Sequence, residues 1–85
     1  MSQFAPATVL ILDLARPFVP GLPEDALSAR EANLQDAGLT SMASVKLMLA
    51  LEAAHDIAIP DDELTPENFR SIAAIEALVA RLRGG

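Results

Sequence analysis

The sequence predicts a small all-α bundle with three main helices, one short helix and a long loop after the first helix. The chain has 85 residues, is 52% apolar and lacks Trp and Tyr, and its Ala-rich and Leu-rich composition favours helices. Apolar residues recur at helical spacing in three segments, and Pro and Gly residues separate these segments. A chain of this length makes one domain, so we expect residues 1–85 to form a single domain.

The first helix is predicted over Ala7–Ala15, and it ends there because Pro17 disfavours helix at the preceding residue. Residues 17–33 contain three prolines and a glycine and predict a long loop, which often has a role or contains a short helical turn. The residues expected to anchor this region in the core are Leu22, Leu27 and Leu34.

The central helix is predicted over residues 41–55, after a tight turn over Asn33–Ala37 that ends at Gly38. Thr40 suits the N-cap position, because its hydroxyl can accept a backbone N–H. The apolar stripe of this helix is wide, as expected for a central helix that touches several neighbours. Its main row is Met42, Val45, Leu49 and Ala53, and Leu47, Met48 and Leu51 widen it.

The last part of the chain contains a short link and two further helix starts. Ile57 and Ile59 are expected to anchor the link. Thr65 predicts the N-cap of a short helix that ends near Arg70, because Pro follows it at the first helical position. Ser71 then caps the final helix. The apolar face of that helix consists of Ile72, Ile75, Leu78, Val79 and Leu82.

The chain is acidic, with 12 acids, 6 bases and a formal net charge of −6. Lys46 is the single base between residues 41 and 67. This charge argues against nucleic acid and anionic membranes as partners and favours a basic protein. Asp13 interrupts the apolar stretch near the start, and no basic segment precedes it. We therefore expect neither a signal peptide nor a membrane span, and we expect a cytoplasmic monomer.

Several kinds of chemistry are not supported by the sequence. It contains no cysteine, so a disulfide or a catalytic thiolate is excluded. No zinc ligand set, calcium loop, Gly-rich phosphate loop or catalytic triad can be recognised. His55 is the single histidine, and we interpret it as a solvated or helix-end residue because no nucleophile or acid is spaced to serve it. We expect no metal site, no catalytic residue and no enzymatic activity.

Ser41 is the candidate functional residue. It stands at the first turn of the central helix, where the first backbone N–H groups have no intrahelical partner. These groups and the helix dipole favour an anion, so a phosphate ester on Ser41 would lie where the backbone stabilises negative charge. By spacing alone, however, a serine here is an ordinary helix-start residue.

The chain resembles the acyl carrier proteins in residues 36–42 (Asp-Ala-Gly-Leu-Thr-Ser-Met) and in the apolar pattern of residues 45–52. The likeness continues through residues 57–61 (Ile-Ala-Ile-Pro-Asp) and the final helix to about Leu82. It implies that Ser41 carries a covalent 4′-phosphopantetheine arm, which a phosphopantetheinyl transferase adds from coenzyme A. The arm ends in a thiol that holds cargo as a thioester and presents it to downstream acyl-transfer enzymes.

The subfamily follows from departures from the common motif. Thr40 and Met42 stand where Asp and Leu are usual, and Ala43 and Lys46 lie where fatty-acid carriers often have acids. Residues 37–49 are more similar to the aminoacyl carrier proteins, which stand-alone ligases resembling the core of aminoacyl-tRNA synthetases load with a small amino acid such as glycine or alanine. The resemblance implies a stand-alone aminoacyl carrier with such a ligase as its partner.

We expect a docking rim around the attachment point, formed by Thr40, Met42, Val45, Lys46 and Glu52. Met42 and Met48 are expected to fill the core, and they could narrow a cavity for a long acyl chain. Two alternatives stay open. One is a fatty-acid or polyketide acyl carrier. The other, from a different class, is an acidic helical adaptor that binds a protein without a prosthetic group. A small enzyme is the least supported reading.

Overall fold

The computed structural model describes residues 6–84, and its regular elements in this range are helical. A single 3₁₀ turn at Arg16–Phe18 extends the first helix, and another at Asp61–Glu63 follows the third helix. The predicted all-α bundle with three main helices and one short helix is confirmed. Within residues 6–84, no helix is long and apolar enough to cross a membrane. The α-helices are α1 Pro6–Ala15, α2 Ala26–Glu31, α3 Ser41–His55 and α4 Ile72–Leu82.

The short helix lies inside the long loop after α1. Asp25 is the N-cap of α2, and its carboxylate accepts the Ser28 backbone N–H at 2.9 Å. The Arg16 guanidinium donates to the carbonyls of Pro23 and Glu24 at 3.0 and 3.3 Å, which fixes the chain just before this cap. The loop therefore contains the kind of helical turn that its length suggested.

The short helix predicted between Thr65 and Arg70 is a hydrogen-bonded turn instead. The Thr65 hydroxyl accepts the Asn68 N–H at 3.2 Å, and the Thr65 carbonyl accepts the Phe69 N–H at 3.2 Å. The expected cap is therefore present, but Ser71 is already extended, with φ −150° and ψ 166°. The segment is therefore too short for a helix, because the free-energy cost of forming the first turn is not recovered by further turns.

α1 is the central element of the bundle, since it packs against α2, α3 and α4. The prediction that α3 is central was wrong, because α3 packs mainly against α1 and the 16–18 turn. Its buried residues are Leu47, Met48 and Leu51. The row predicted as its main core face points to solvent: Met42 is 71%, Leu49 55% and Val45 41% exposed, and Ala53 is exposed too.

The loop anchors were predicted in part. Leu22 and Leu34 are buried, whereas Leu27 is 60% exposed. The reason is that α2 turns Ala29 into the core, and two residues along a helix point to nearly opposite sides. Ile59 is buried and Ile57 packs against the core, as predicted. The predicted face of α4 is confirmed, with its first four members buried and the fifth packed against the core: Ile72, Ile75, Leu78, Val79 and Leu82.

Candidate functional site

The chain approaches Ser41 through the predicted tight turn. The Ala37 N–H donates to the Asn33 carbonyl at 3.0 Å, and the Gly38 N–H donates to the Gln35 carbonyl at 3.1 Å. Gly38 has a φ of 108°, which lies in the left-handed region that residues other than glycine rarely adopt. The turn therefore depends on glycine at this position, and it delivers the backbone into the start of α3.

Two neighbouring segments hold this turn. On one side, the Gly21 N–H donates to the Ala37 carbonyl at 2.7 Å, so the loop after α1 lies directly on the turn. On the other side, the Leu34 N–H donates to the Arg70 carbonyl at 2.8 Å, and the Gln35 side-chain amide donates to the Phe69 carbonyl at 3.3 Å. The start of α3 is thus fixed by contacts that are distant in sequence.

Ser41 is the first residue of α3, and it is exposed. The preceding residue, Thr40, has the extended backbone of an N-cap, and its hydroxyl accepts the Ala43 N–H at 3.1 Å. The Thr40 carbonyl accepts both the N–H and the hydroxyl of Ser44, at 2.9 and 3.0 Å. The predicted cap is confirmed, and the first turn contains no acidic residue.

Two open grooves flank this helix start, and Thr40 lines both. The first, of about 310 Å³, lies between α3 and the 64–69 turn, and we call it the Phe69 groove. The second, of about 360 Å³, lies between α3 and the 16–20 segment, and we call it the Phe18 groove. The Phe69 groove is lined by Gln35, Leu39, Thr40, Ser41, Ser44, Val45, Leu64, Thr65, Pro66 and Phe69. The Phe18 groove is lined by Pro17, Phe18, Pro20, Gly38, Thr40, Met42, Ala43 and Lys46.

The residues of the expected docking rim are divided between these surfaces. Met42 and Lys46 line the Phe18 groove, whereas Val45 lines the Phe69 groove. Glu52 lines neither groove: its carboxylate is half-buried and accepts the Ile59 N–H at 2.7 Å, which ties α3 to the following link. Helical spacing alone could not reveal this contact, because it depends on where the link folds back.

Both methionines were expected to fill the core, and the structure separates them. Met48 is buried, but Met42 is largely exposed. Neither side chain lines the Phe69 groove, so neither narrows it. Met42 instead lines the open Phe18 groove, where the neighbouring 16–20 segment leaves it largely exposed.

His55 is the last residue of α3. Its Nδ1 lies 3.1 Å from the Leu51 carbonyl, which can only accept, so Nδ1 carries a proton. Its Nε2 is buried without a hydrogen-bond partner among the described residues. This is the helix-end position that the sequence suggested. In the part of the chain that the structure describes, no group of three or more acids and histidines is placed to hold a metal ion.

Comparison with known proteins identifies the family. The family model described as the phosphopantetheine attachment site matches residues 19–79. The chain belongs to this carrier-protein family. The matched span includes Ser41, the whole Phe69 groove, the Phe18 groove except Pro17 and Phe18, and most of α4. Membership confirms the resemblance to acyl carrier proteins and implies covalent attachment of phosphopantetheine somewhere in the domain.

The relatives of this carrier protein indicate its subfamily among the carrier proteins. Aminoacyl carrier protein 2 of Bradyrhizobium diazoefficiens is 46% identical over 66 residues, which cover 74% of each chain. The aminoacyl carrier protein of Agrobacterium fabrum is 49% identical over 74% of this chain and 75% of its own. The acyl carrier protein of Akkermansia muciniphila is 31% identical over 75% of this chain and 78% of its own. The higher identity to the first two confirms the prediction of a specialised carrier of the aminoacyl type.

A solved structure supports the same assignment. The carrier protein matches a chain in the crystal structure of engineered Bradyrhizobium japonicum glycine:[carrier protein] ligase complexed with carrier protein from Agrobacterium tumefaciens and ATP. The TM-score is 0.72 at 42% identity, and the match covers 88% of this chain and 97% of that chain. A second crystal structure, with AMP in place of ATP, gives a TM-score of 0.71 at 43% identity.

Sequence reasoning did not find the two grooves or the contact between Gly21 and Ala37. The grooves form where segments distant along the chain face each other across the start of α3. The clustering of Pro17, Pro20 and Gly21 was the available signal, since closely approaching backbones often require glycine. It predicted a loop but not where the loop would lie.

Proposed function

We propose that this carrier protein holds an amino acid as a thioester on a 4′-phosphopantetheine arm attached to the Ser41 hydroxyl. The observation that carries the proposal is the exposed hydroxyl at the first position of α3, inside the span that matches the attachment-site family. The carrier performs no catalysis itself. It acts as a cytoplasmic monomer and a single domain over residues 1–85.

The start of α3 fits a phosphate ester. The cap uses the N–H of Ala43, and the N–H of Ser44 bonds to the Thr40 carbonyl. The N–H groups of Ser41 and Met42 have no intrahelical partner, as for the first residues of any helix. Because the first turn also lacks an acid, negative charge on Ser41 meets the positive end of the helix dipole without local repulsion.

The Phe69 groove fits the remainder of the arm, which contains a branched alkyl group and two amides. Its walls combine apolar side chains, such as Val45 and Leu64, with the polar side chains of Gln35 and Thr65. When bound, the arm supplies a terminal thiol that carries an acyl group as an activated thioester. The carrier's own residues would hold the arm and shield part of it from water.

We further propose that the partners are a phosphopantetheinyl transferase, an amino acid–carrier protein ligase and downstream acyl-transfer enzymes. The names of the aminoacyl relatives and the ligase in the compared crystal structure support the ligase and the amino acid cargo. Thr40, Met42 and Lys46 form the docking rim along the Phe18 groove, and Val45 extends it on the side of the Phe69 groove. Glu52 is left out because its carboxylate is engaged with Ile59.

The attachment site is tested by intact mass after incubation with coenzyme A and a broad-specificity phosphopantetheinyl transferase. The unaltered protein is expected to gain one phosphopantetheine group, and Ser41→Ala none. Ser44→Ala is the matched control, because Ser44 lies one turn along α3 and lines the same groove, and it should gain the group. A gain on Ser41→Ala would move the site elsewhere. No gain on the unaltered protein would favour the acidic adaptor instead.

The cargo is tested by loading the modified protein. Amino acids with a glycine:[carrier protein] ligase and fatty acids with an acyl–carrier ligase are offered in parallel, and the products are identified by mass. We expect aminoacyl loading and little fatty-acyl loading. Efficient loading with fatty acids alone would support the fatty-acid or polyketide alternative.

A further inference from the structure

We infer that Arg81 on α4 is a positioning residue for the prosthetic arm: through Glu63 and Asn68 it holds one wall of the Phe69 groove in place. The inference rests on the proposed function for the identity of the arm, whereas the hydrogen bonds around Arg81 carry the claim about the wall. We call residues 60–68 the wall segment. It supplies three of the residues that line the groove: Leu64, Thr65 and Pro66.

The wall segment has little apolar attachment to the core. Ile59 before it is buried, and so is Phe69 after it. Within residues 60–68 no residue is buried, and Leu64 alone packs against the core while partly exposed. Stretches with few buried apolar contacts open at a low free-energy cost. The position of this wall therefore depends on polar contacts.

Arg81 makes the polar link between the wall segment and the rest of the bundle. Its guanidinium donates to the Asn68 side-chain oxygen at 3.3 Å and to the Glu63 carboxylate at 3.5 Å. Within residues 6–84, every other hydrogen bond of the wall segment joins two residues of the 60–69 stretch. Arg81 is thus the one described side chain that ties the segment to a helix by hydrogen bonds.

Asn68 connects both ends of the wall segment to Arg81. Its side-chain nitrogen donates to the backbone carbonyl and to the carboxylate of Glu63, at 2.8 and 2.9 Å. A carboxamide has two N–H donors and one accepting oxygen, so the Asn68 oxygen is left for the guanidinium. Each of the three side chains therefore contacts the other two, and we call them the Arg81 network. A polar network whose members are all engaged rigidifies the groups that it joins.

The wall segment presents different residues to its two neighbours. Leu64, Thr65 and Pro66 line the groove. Glu63 and Asn68 do not line it and contact α4 instead. The Arg81 network therefore fixes the wall without occupying the space for the arm. A groove whose walls are fixed beforehand loses less conformational entropy when a ligand enters it, and this favours the bound state.

The Arg81 network is weak compared with the hydrophobic core. The side chains of Arg81 and Glu63 are 54% and 29% exposed, and ion pairs this accessible to water contribute modestly to stability. Removal of the Arg81 side chain should therefore loosen the wall segment without unfolding the bundle. A positioning role can in this way be separated from a role in global stability.

Hydrogen exchange, measured by NMR on the protein without its arm, tests the wall. In Arg81→Ala we expect the amides of Leu64 and Thr65, which donate to carbonyls within the segment, to exchange about threefold to tenfold faster. The Ile75 amide in α4 should change by less than about twofold. Arg83→Ala is the matched control, because it removes the same charge two residues along. The Arg83 side chain is exposed and forms no ion pair within residues 6–84, so the exchange of the wall segment should stay as it is.

Asn68→Ala tests whether Arg81 acts through the network. This variant should accelerate exchange of the same two amides. The double variant Arg81→Ala/Asn68→Ala should exceed Asn68→Ala alone by less than about twofold, because residues that act through one network have non-additive effects.

The effect on the arm is measured by NMR after modification by the transferase, which intact mass verifies. Attachment of the arm at Ser41 should shift the methyl signals of Val45 and Leu64, since both residues line the groove. We expect these shifts to fall to about half in Arg81→Ala, because a mobile wall holds the arm less well. They should be unchanged in Arg83→Ala.

Two outcomes would overturn the inference. Equal exchange of the Leu64 and Thr65 amides in Arg81→Ala and in the unaltered protein would show that Arg81 does not hold the wall. Methyl shifts that are absent from the unaltered protein, or undiminished in Arg81→Ala, would show that the wall does not position the arm. Failure of the proposed function is recognised separately, as the lack of a mass gain with the transferase, and it leaves the exchange experiment on the unmodified protein unaffected.

Discussion

Gly21 and Gly38 illustrate how single residues fix the position of Ser41. Gly38 provides the left-handed turn, with a φ of 108°. Gly21 provides close approach: a Cβ on Gly21 would lie 2.8 Å from the Ala37 carbonyl oxygen and 3.2 Å from the Ala37 Cα. These two glycines therefore serve different physical requirements within one contact.

This distinction gives a prediction for Gly21→Ala. Since the added methyl meets backbone atoms rather than a flexible side chain, we expect a loss of about 1–3 kcal/mol in the free energy of unfolding. Urea denaturation measures it. Gly84→Ala is the contrast: its added Cβ meets nothing within 4 Å, so any loss there reports only the strain of a side chain at its φ of 86°. A Gly21→Ala variant as stable as the unaltered protein would mean that the loop moves away at little cost.

Individual residues also show what local chemistry can predict. The caps at Thr40 and Ser71 were predicted from sequence, because a hydroxyl before a helix accepts an N–H within three residues. The exposure of Met42 and Leu27 could not be predicted, because a helix sequence shows which residues share a face but not which face meets another helix. Ser41 itself was proposed from its motif rather than from its spacing.

At the scale of elements, α2 is held at both ends by polar contacts. Asp25 caps its start, and the Arg30 guanidinium binds both oxygens of Glu76 on α4, at 3.0 and 3.2 Å. The hydrogen bond and charge of Glu76 raise the pKa of Arg30 above its usual value. A six-residue helix is too short to be stable alone, so these contacts and the buried Ala29 account for its presence.

The Asp25 cap predicts an acid-sensitive start of α2. Hydrogen bonds from Ser28, the backbone N–H first, lower the pKa of the Asp25 carboxyl below its ordinary value. The unfolded chain therefore binds the proton more readily, so the contribution of the cap is present above about pH 3.9 and is lost as pH falls through the lower folded pKa.

We expect hydrogen exchange of the Ser28 amide to accelerate relative to the rest of the bundle across that acidic range. Asp25→Asn provides the comparison, because an asparagine side chain can still cap the helix but does not titrate. In that variant the extra acceleration should be absent. An equal acceleration with aspartate and with asparagine would show that the cap does not cause it.

Residues 65–70 and residues 26–31 show why the short helix was predicted in the wrong segment. Residues 65–70 have strong start signals and form a single turn, because Ser71 begins a new helix immediately afterwards. Residues 26–31 follow Pro17, Pro20 and Pro23 closely, and these prolines led to the prediction of a loop over the whole segment. Asp25 followed by good helix formers was the signal for α2 that sequence reasoning did not use.

At the scale of the whole molecule, the bundle depends on α1 as its central helix. The described core contains residues from all four helices and from the connections between them. A domain of this size buries a limited fraction of its surface, so each central core residue contributes a large part of the net stability. The all-α class was predictable from composition and periodicity, whereas the central position of α1 depends on tertiary packing.

Ile11→Ala tests the role of α1. Ile11 is fully buried, with 0% exposure, and we expect its truncation to lower the free energy of unfolding by about 2–5 kcal/mol. Leu10→Ala, at the adjacent and 39% exposed position, should cost less than about 1 kcal/mol. Denaturant titration of both variants measures the difference. Equal losses at the two positions would contradict the central placement of α1.

The position of Thr40 between the two grooves has a consequence for evolution and engineering of this carrier. Under the proposed function, storage of the cargo and recognition by an enzyme would fall on opposite sides of a single residue, so they could change independently. Substitutions around Phe18 and Met42 would redirect the carrier to a new enzyme while leaving the compartment beside Phe69 as it is. The same fold could in this way serve different partner enzymes while the Phe69 groove, where the arm is proposed to lie, stays unchanged.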